Sequence, residues 1–256
     1  MTEPLQGLPG LVARLPELQA AYRTASPWPH LVLDGLVAPA LLRAAEAESR
    51  TVDPSSMISV PTRRQRKRET GDPALLGPSV RRLLEALEGP EWTAFVSRLT
   101  GVGQLVADPS RFAAGLHETA PGGYTLVHTD FSTHPTTGLH HRTNTLLYLN
   151  EGWQDAWGGS LELWPTSMRA VGRRVLPQSG TVVVWETGPH TPHALPEPVA
   201  SPDGRSRLAL AAYHYAPVPA GGVPRGRTAT FLRRPQDPWW VGLPTYHDLR
   251  RRLRPR

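Results

Sequence analysis

The chain has no cysteine among its 256 residues. That absence removes disulfides, thiolate nucleophiles, iron–sulfur clusters and thiolate-bound zinc together. Any metal must then be held by nitrogen and oxygen. Lysine is nearly absent as well: of 28 basic side chains only Lys67 is a lysine. No run approaches the roughly 18 uninterrupted apolar residues of a membrane span. Met1–Gly10 is polar and acidic, without the apolar centre of a signal peptide. These absences read as a soluble, cytoplasmic protein with no membrane partner.

What is present fits a globular domain. Apolar residues make up 39% and charged ones 20%, which excludes a disordered chain. With 23 glycines and 28 prolines the chain is loop-rich, which suits a β-containing domain better than a helical bundle. The net charge of +6 is local. Residues 221–256 hold nine arginines against Asp237 and Asp248, a net of +7, which leaves 1–220 at −1. A second cluster, Arg63, Arg64, Arg66, Lys67 and Arg68, is offset by acids elsewhere. Arginine-rich segments neutralise phosphates with little sequence requirement, but no interleaved aromatic platform accompanies the cluster. Nucleic acid is therefore not expected as a partner, and residues 63–68 read as a solvated flap.

Helix spacing appears at Leu11–Arg23, with Pro16 against it, and at Ala38–Arg50, Ser79–Leu87 and Glu91–Leu99. Pro29–Val37 reads as a strand and turn, and 51–74 as a long loop. After Gly103 short apolar or alternating runs recur between Gly, Pro and Asp breaks, with no helical segment between them. That texture argues a sandwich or barrel rather than βαβ units. The expected organisation is α+β. A helical support covers 1–110, an all-β core 111–217 and a basic extension 218–256, with the first two forming one continuous domain. Trp239-Trp240 and the segment LRRRLRPR pack either on the body or on a second copy, as in a homodimer.

His128-Thr129-Asp130 puts an imidazole and a carboxylate two apart at the end of a predicted strand, where alternation turns both to one face. Downstream, TGPHTPHALPEP offers His190 and His193 near another strand end. Two histidines and one carboxylate on one face of an octahedral ion leave three positions open, the arrangement used for non-haem Fe(II) and O2. Arg207 opens the run RLALAAYHY. Pointing inward beside Ala209, Ala211, Tyr213 and Tyr215, its guanidinium needs an anion, and a carboxylate suits it. His140-His141-Arg142 cannot all face one way on a strand and reads as a loop. His214 alternates away from Arg207, outside the barrel interior.

The order of these residues resembles the Fe(II)/2-oxoglutarate-dependent dioxygenases of the prolyl 4-hydroxylase-like branch. The matching segments are HTDF (128–131), NTLLYLN (144–150), WGGSLELW (157–164), SGTVVVWE (179–186), PHALPEP (192–198) and SRLALAAYHY (206–215). PWPHLVLDGLV (27–37) and GLHETAPGGY (115–124) are similar too. The resemblance implies a double-stranded β-helix, or jelly roll, with the N-terminal helices on its major sheet. It implies Fe(II) on His128, Asp130 and His193; the residues after His193 match the family's sequel to the ligand better than those after His190. Arg207 would grip the far carboxylate of 2-oxoglutarate, with Arg205 as competitor because the spacing from His193 is long. Tyr148 would assist through its hydroxyl. Asn144, on the same face, would be a second polar contact to the co-substrate, and His117 would flank the keto acid.

The implied reaction consumes 2-oxoglutarate and O2, with ascorbate supportive, releases succinate and CO2, and hydroxylates an unactivated C–H. Asp130 separates the chain from halogenating relatives, which lack that carboxylate. The implied substrate is a small molecule, an amino acid, or a peptide or protein side chain. Two alternatives stand beside this reading. One is a non-catalytic jelly-roll module whose basic tail docks an acidic partner; the other is the same enzyme class performing desaturation or cyclisation.

Overall fold

Each helix begins with a proline in its first turn, where the missing N–H costs nothing. α1 spans Leu8–Ala13, α2 Leu15–Thr24, α3 Pro39–Arg50, α4 Pro78–Glu88 and α5 Pro90–Thr100. The structure, a computed structural model, describes residues 3–218 and 227–243. The helix expected at Leu11–Arg23 is two: Pro16 lies in the first turn of α2, and the break falls at Arg14. No helix among the described residues is long and apolar enough to cross a membrane.

The strands are β1 His30–Leu33, β2 Ile58–Pro61, β3 Gln65–Thr70, β4 Val106–Ala107, β5 Gly115–Thr119, β6 Tyr124–Thr129, β7 His140–Tyr148, β8 Leu161–Leu163, β9 Arg173–Val175, β10 Val182–Glu186, β11 His193–Leu195, β12 Arg207–Ala216 and β13 Thr230–Phe231. Their order is β1-β10-β7-β12-β5-β3-β6-β11-β8-β9, with β2, β4 and β13 attached to β3, β12 and β6. All named neighbours pair antiparallel, and the sheet curls into the expected jelly roll.

Alternation sorts the side chains of the major strands into two layers. Leu116, Leu147, Leu149, Val182, Val184, Leu208, Leu210 and Ala212 turn outward, into one core with Leu83, Leu84 and Leu87 of α4 and Trp92, Phe95 and Leu99 of α5. Tyr148, Val183, Trp185 and Ala209 turn inward, where they meet Trp28, Leu161, Leu163 and Val175. The helices thus cover one face of the major sheet and leave the barrel interior to other work.

Three expectations need correction. Residues 51–74 are not a long loop: β2 and β3 form a hairpin, and β3 enters the sheet between β5 and β6. Lys67 meets Glu69 at 2.7 Å and Arg68 meets Glu118 at 2.9 Å, while Arg63 and Arg66 stay exposed, so the cluster belongs to the sheet rather than to a loose solvated flap. His140-His141-Arg142 is not a loop but the start of β7. Between His141 and Thr143 one residue of β7 has no opposite number on β12, and this bulge re-aims His141 toward the barrel interior. The basic extension is not wholly an appendage, because β13 pairs with β6 through Thr230 on Thr129 and Phe231 on His128. Trp239–Gly242 forms a short helical turn with Val241 buried. The segment LRRRLRPR lies outside the described residues.

Candidate active site

The ladder between β6 and β11 places His128 directly opposite His193. Asp130 follows the end of β6. One ligand atom from each of the three lies within 4.8 Å of the others. Asp130 Oδ1 stands 3.7 Å from Nε2 of His128 and 3.7 Å from Nε2 of His193. Both imidazoles are turned the same way: Nδ1 of His128 donates to the Leu126 carbonyl at 3.0 Å, and Nδ1 of His193 to the Thr191 carbonyl at 3.1 Å. Each ring therefore turns its Nε2 to the centre. Burial, then the neighbouring His193, pushes the His128 pKa down to about 4. Burial alone would raise Asp130, but His193 and His128 together hold its carboxyl below the ordinary value. Neutral imidazole beside carboxylate is the state a divalent cation needs. His190 lies exposed in the preceding turn, away from this cluster.

Deeper in the barrel Arg207 is buried, and Nε donates to the Gly159 carbonyl at 2.8 Å. Gly158 and Gly159 both hold positive φ, and a Cβ on Gly159 would stand 3.3 Å from Arg207 Cδ. The paired glycines let the chain pass this close to the guanidinium. Among the described residues no carboxylate acts on Arg207: burial lowers its pKa, and Tyr148 alone opposes. The guanidinium carbon sits 4.8 Å from the Tyr148 ring centroid, and the Tyr148 hydroxyl is buried without a hydrogen-bond partner. A buried cation unmatched by a protein carboxylate, next to an orphaned hydroxyl, has the make-up of a carboxylate receptor. Arg205 is spent elsewhere, on Asp203 at 2.5 Å and over the Trp157 ring at 4.8 Å. Trp153 and Trp164 pack in the core with their indole N–H groups on Gly158 and Glu162.

Asn144 faces the interior as expected, but the structure gives its side chain other partners. Its Nδ2 donates to Asp130 Oδ2 at 2.8 Å, and its Oδ1 lies 2.8 Å from His141 Nε2. His117 pairs in register with Ala209 on one side and Glu69 on the other, so it faces inward. Its Nε2 donates to the Ala113 carbonyl at 3.1 Å, and burial followed by Lys67 pushes its pKa down to about 4.

Several interior residues escaped the reading of the sequence. Phe231 of β13 lies 5.5 Å from the His128 ring, with the Arg64 guanidinium 5.3 Å from its own centroid. Arg64 in turn donates to the carbonyls of Trp240 and Leu243, which ties the β2–β3 hairpin to the C-terminal strap. The Arg227 carbonyl accepts from the Ser132 N–H at 2.8 Å, the Arg227 N–H donates to Ser132 Oγ, and its guanidinium donates to the Asp130 carbonyl at 3.3 Å. His214 lies on the opposite face, where Nε2 donates to the Leu87 carbonyl of α4 at 3.1 Å.

Residues 114–215, which carry the two histidines, Asp130 and Arg207, match the family model of the 2OG-Fe(II) oxygenase superfamily. That domain is the domain of a 2-oxoglutarate-dependent dioxygenase, which works with Fe(II), 2-oxoglutarate and O2. Solved structures share the fold. A prolyl-4-hydroxylase from Pseudomonas putida is 21% identical, with a TM-score of 0.59, and the match covers 79% of this chain and 98% of that one. A prolyl hydroxylase from Trichoplax adhaerens, in complex with a hypoxia inducible factor peptide fragment, is 16% identical with a TM-score of 0.61, covering 84% and 94%. HygX from Streptomyces hygroscopicus, with nickel and 2-oxoglutarate bound, is 14% identical with a TM-score of 0.52, covering 78% and 86%. Among curated proteins no relative matches the chain.

Proposed function

We propose that this 2-oxoglutarate-dependent dioxygenase hydroxylates an unactivated C–H of an amino acid, peptide or protein side chain. One juxtaposition carries the reading: the His128–Asp130–His193 triad shares a barrel with a buried guanidinium that has no carboxylate of its own. The donor set fits Fe(II), since two imidazoles and one carboxylate leave positions open on an octahedral ion. When bound, Fe(II) with 2-oxoglutarate and O2 supplies the chemistry, in which the keto acid is oxidised to succinate and CO2 and one oxygen atom enters the substrate C–H.

The chain's own residues bind, aim and exclude. Nε2 of His128, Oδ1 of Asp130 and Nε2 of His193 hold the ion. Arg207 receives the distal carboxylate of 2-oxoglutarate, and Tyr148 donates its orphaned O–H to the same group. Val183, Trp185 and Leu163 keep the interior dry around that ion pair, which strengthens it. Phe231 covers one side of His128. The peptide held by the Trichoplax relative supports a substrate that reaches the mouth from outside.

The test is succinate formation from 2-oxoglutarate by Fe(II)-replete protein with ascorbate, across a panel of amino acids and peptides, read by mass spectrometry. Product gaining one oxygen atom per succinate is expected, with turnover at background in Asp130→Ala. Product losing two hydrogens instead would replace hydroxylation by desaturation. No coupled or uncoupled succinate from any mixture would remove the proposal.

A further inference from the structure

Two of the three candidate ligands are aimed by main chain alone, through the carbonyls of Leu126 and Thr191. Asp130 is aimed differently. Its Oδ2 accepts from Asn144 Nδ2 at 2.8 Å, while its Oδ1 stands 3.7 Å from both histidine nitrogens. One oxygen is occupied and the other faces the centre.

The Asp130 carboxylate itself selects the Asn144 nitrogen, because an amide turned by half a rotation would present its oxygen to an acceptor. His141 supplies a second constraint from the other end of the amide. With the Asn144 nitrogen committed to Asp130, Oδ1 is the atom 2.8 Å from His141 Nε2, so the ring must donate there. Burial lowers the His141 pKa, leaving one N–H at neutral pH, and the contact to Asn144 is shorter than the 3.3 Å from Nδ1 to the Phe131 carbonyl. The ring itself is clamped. Phe131 stacks at 4.7 Å, Tyr215 at 5.1 Å, and Tyr213 leans in at 4.7 Å. His141 is fully buried and reaches this position through the bulge in β7.

We propose that His141 and Asn144 act as a positioning pair that makes Asp130 a one-oxygen ligand through Oδ1, keeping the other positions of the ion open for co-substrate and O2. The inference rests on the reading of the triad as the Fe(II) site. It also gives Asn144 a different task from the co-substrate contact that the family resemblance implies.

The experiment is a Mn(II) titration of metal-free protein, followed by the electron paramagnetic resonance of unbound Mn(II), with 2-oxoglutarate binding measured on the loaded protein. Asn144→Ala is expected to weaken Mn(II) about 10–100-fold, the usual cost of removing a group that orients a ligand. His141→Ala is expected to do the same. The double variant should lose no more than the worse single one, because the chain is already cut. His141→Gln, which restores a donor, should recover part of the loss. If His141→Ala does not fold, Asn144→Ala and His141→Gln carry the test, since Asn144 lies outside the aromatic clamp.

Unchanged Mn(II) affinity with weakened 2-oxoglutarate binding in Asn144→Ala would overturn the pair and return Asn144 to the co-substrate. Fully additive losses would overturn the coupling. Wild-type protein that binds no Mn(II) in an Asp130-dependent way would remove the iron reading itself, a result distinct from wild type and variants binding Mn(II) equally.

Discussion

On β12, Leu208, Leu210 and Ala212 turn toward the helices, while Arg207, Ala209 and Tyr213 turn into the barrel. On β7, Leu147 goes one way and Asn144 and Tyr148 the other. Both faces are buried, so exposure does not distinguish them. Their polar demands do. The helix-backed face is mostly hydrocarbon, with His214 Nε2 bonded to the Leu87 carbonyl and Thr145 Oγ1 accepting from Trp92, and its partnerless atoms are the neutral Thr143 Oγ1 and His214 Nδ1. The interior face adds charge to its orphaned groups: the Arg207 guanidinium, beside the Tyr148 hydroxyl and the Trp185 indole N–H. Burying such groups without partners opposes folding. The first face stabilises the second, and the second is kept for a ligand.

Substitutions on the two faces should therefore part ways. Arg207→Met removes the charge awaiting the co-substrate. Losing one partner of a buried charge pair costs about 3 kcal/mol or more, so 2-oxoglutarate affinity should fall roughly 100-fold or beyond. The melting temperature should hold or rise, because an unpaired buried cation is replaced by an apolar chain. A destabilised Arg207→Met that still binds 2-oxoglutarate normally would erase the contrast. Leu147→Ala, one residue from Tyr148, should do the reverse. It should cost about 2–5 kcal/mol in urea unfolding, the range for truncating a buried leucine. Metal and 2-oxoglutarate affinities of the folded fraction should stay unchanged.

A smaller effect comes from His214. Burial pushes its pKa down to about 4, against an ordinary value near 6.5. As pH falls through that interval the unfolded chain takes up the proton first, so stability declines between about pH 6.5 and 4. Urea unfolding of metal-free protein across that interval should show the decline. His214→Gln should lessen the slope, with the other histidines whose pKa burial lowers, His30, His117, His128, His140 and His141, supplying the remainder. An identical slope in the variant would mean that His214 does not titrate as its burial dictates.

Much of the barrel was legible because β6, β7, β10 and β12 are apolar or alternating over several residues. β3 was not, since a strand reading QRKRET has no apolar period and is held by its pairing with β5 and β6 and by Arg68 on Glu118 of β5. β9, β11 and β13 span two or three residues and carry too little pattern to see. His128, Asp130, the two distal histidines and Arg207 stood out because metal and carboxylate binding demand particular residue types. The partners of Asp130 did not stand out. Parity along β7 places His141 on the helix side, and only a bulge reverses it. Phe231 and Arg227 reach the triad through a strap whose charge reads as a tail, and nothing local to HTDF announces them.

The near absence of lysine acquires a chemical meaning from β3. Lys67 sits half-buried 2.7 Å from Glu69, on the strand face that turns toward His117, and its charge is felt at His128. Every other basic side chain is a guanidinium. An amine-directed acylating reagent therefore meets one side-chain target in the whole protein, close enough to His128 for its charge to act there. Acylation there would cancel the partner of Glu69 without touching the rest of the surface, so the mouth of the barrel carries its own selective chemical handle.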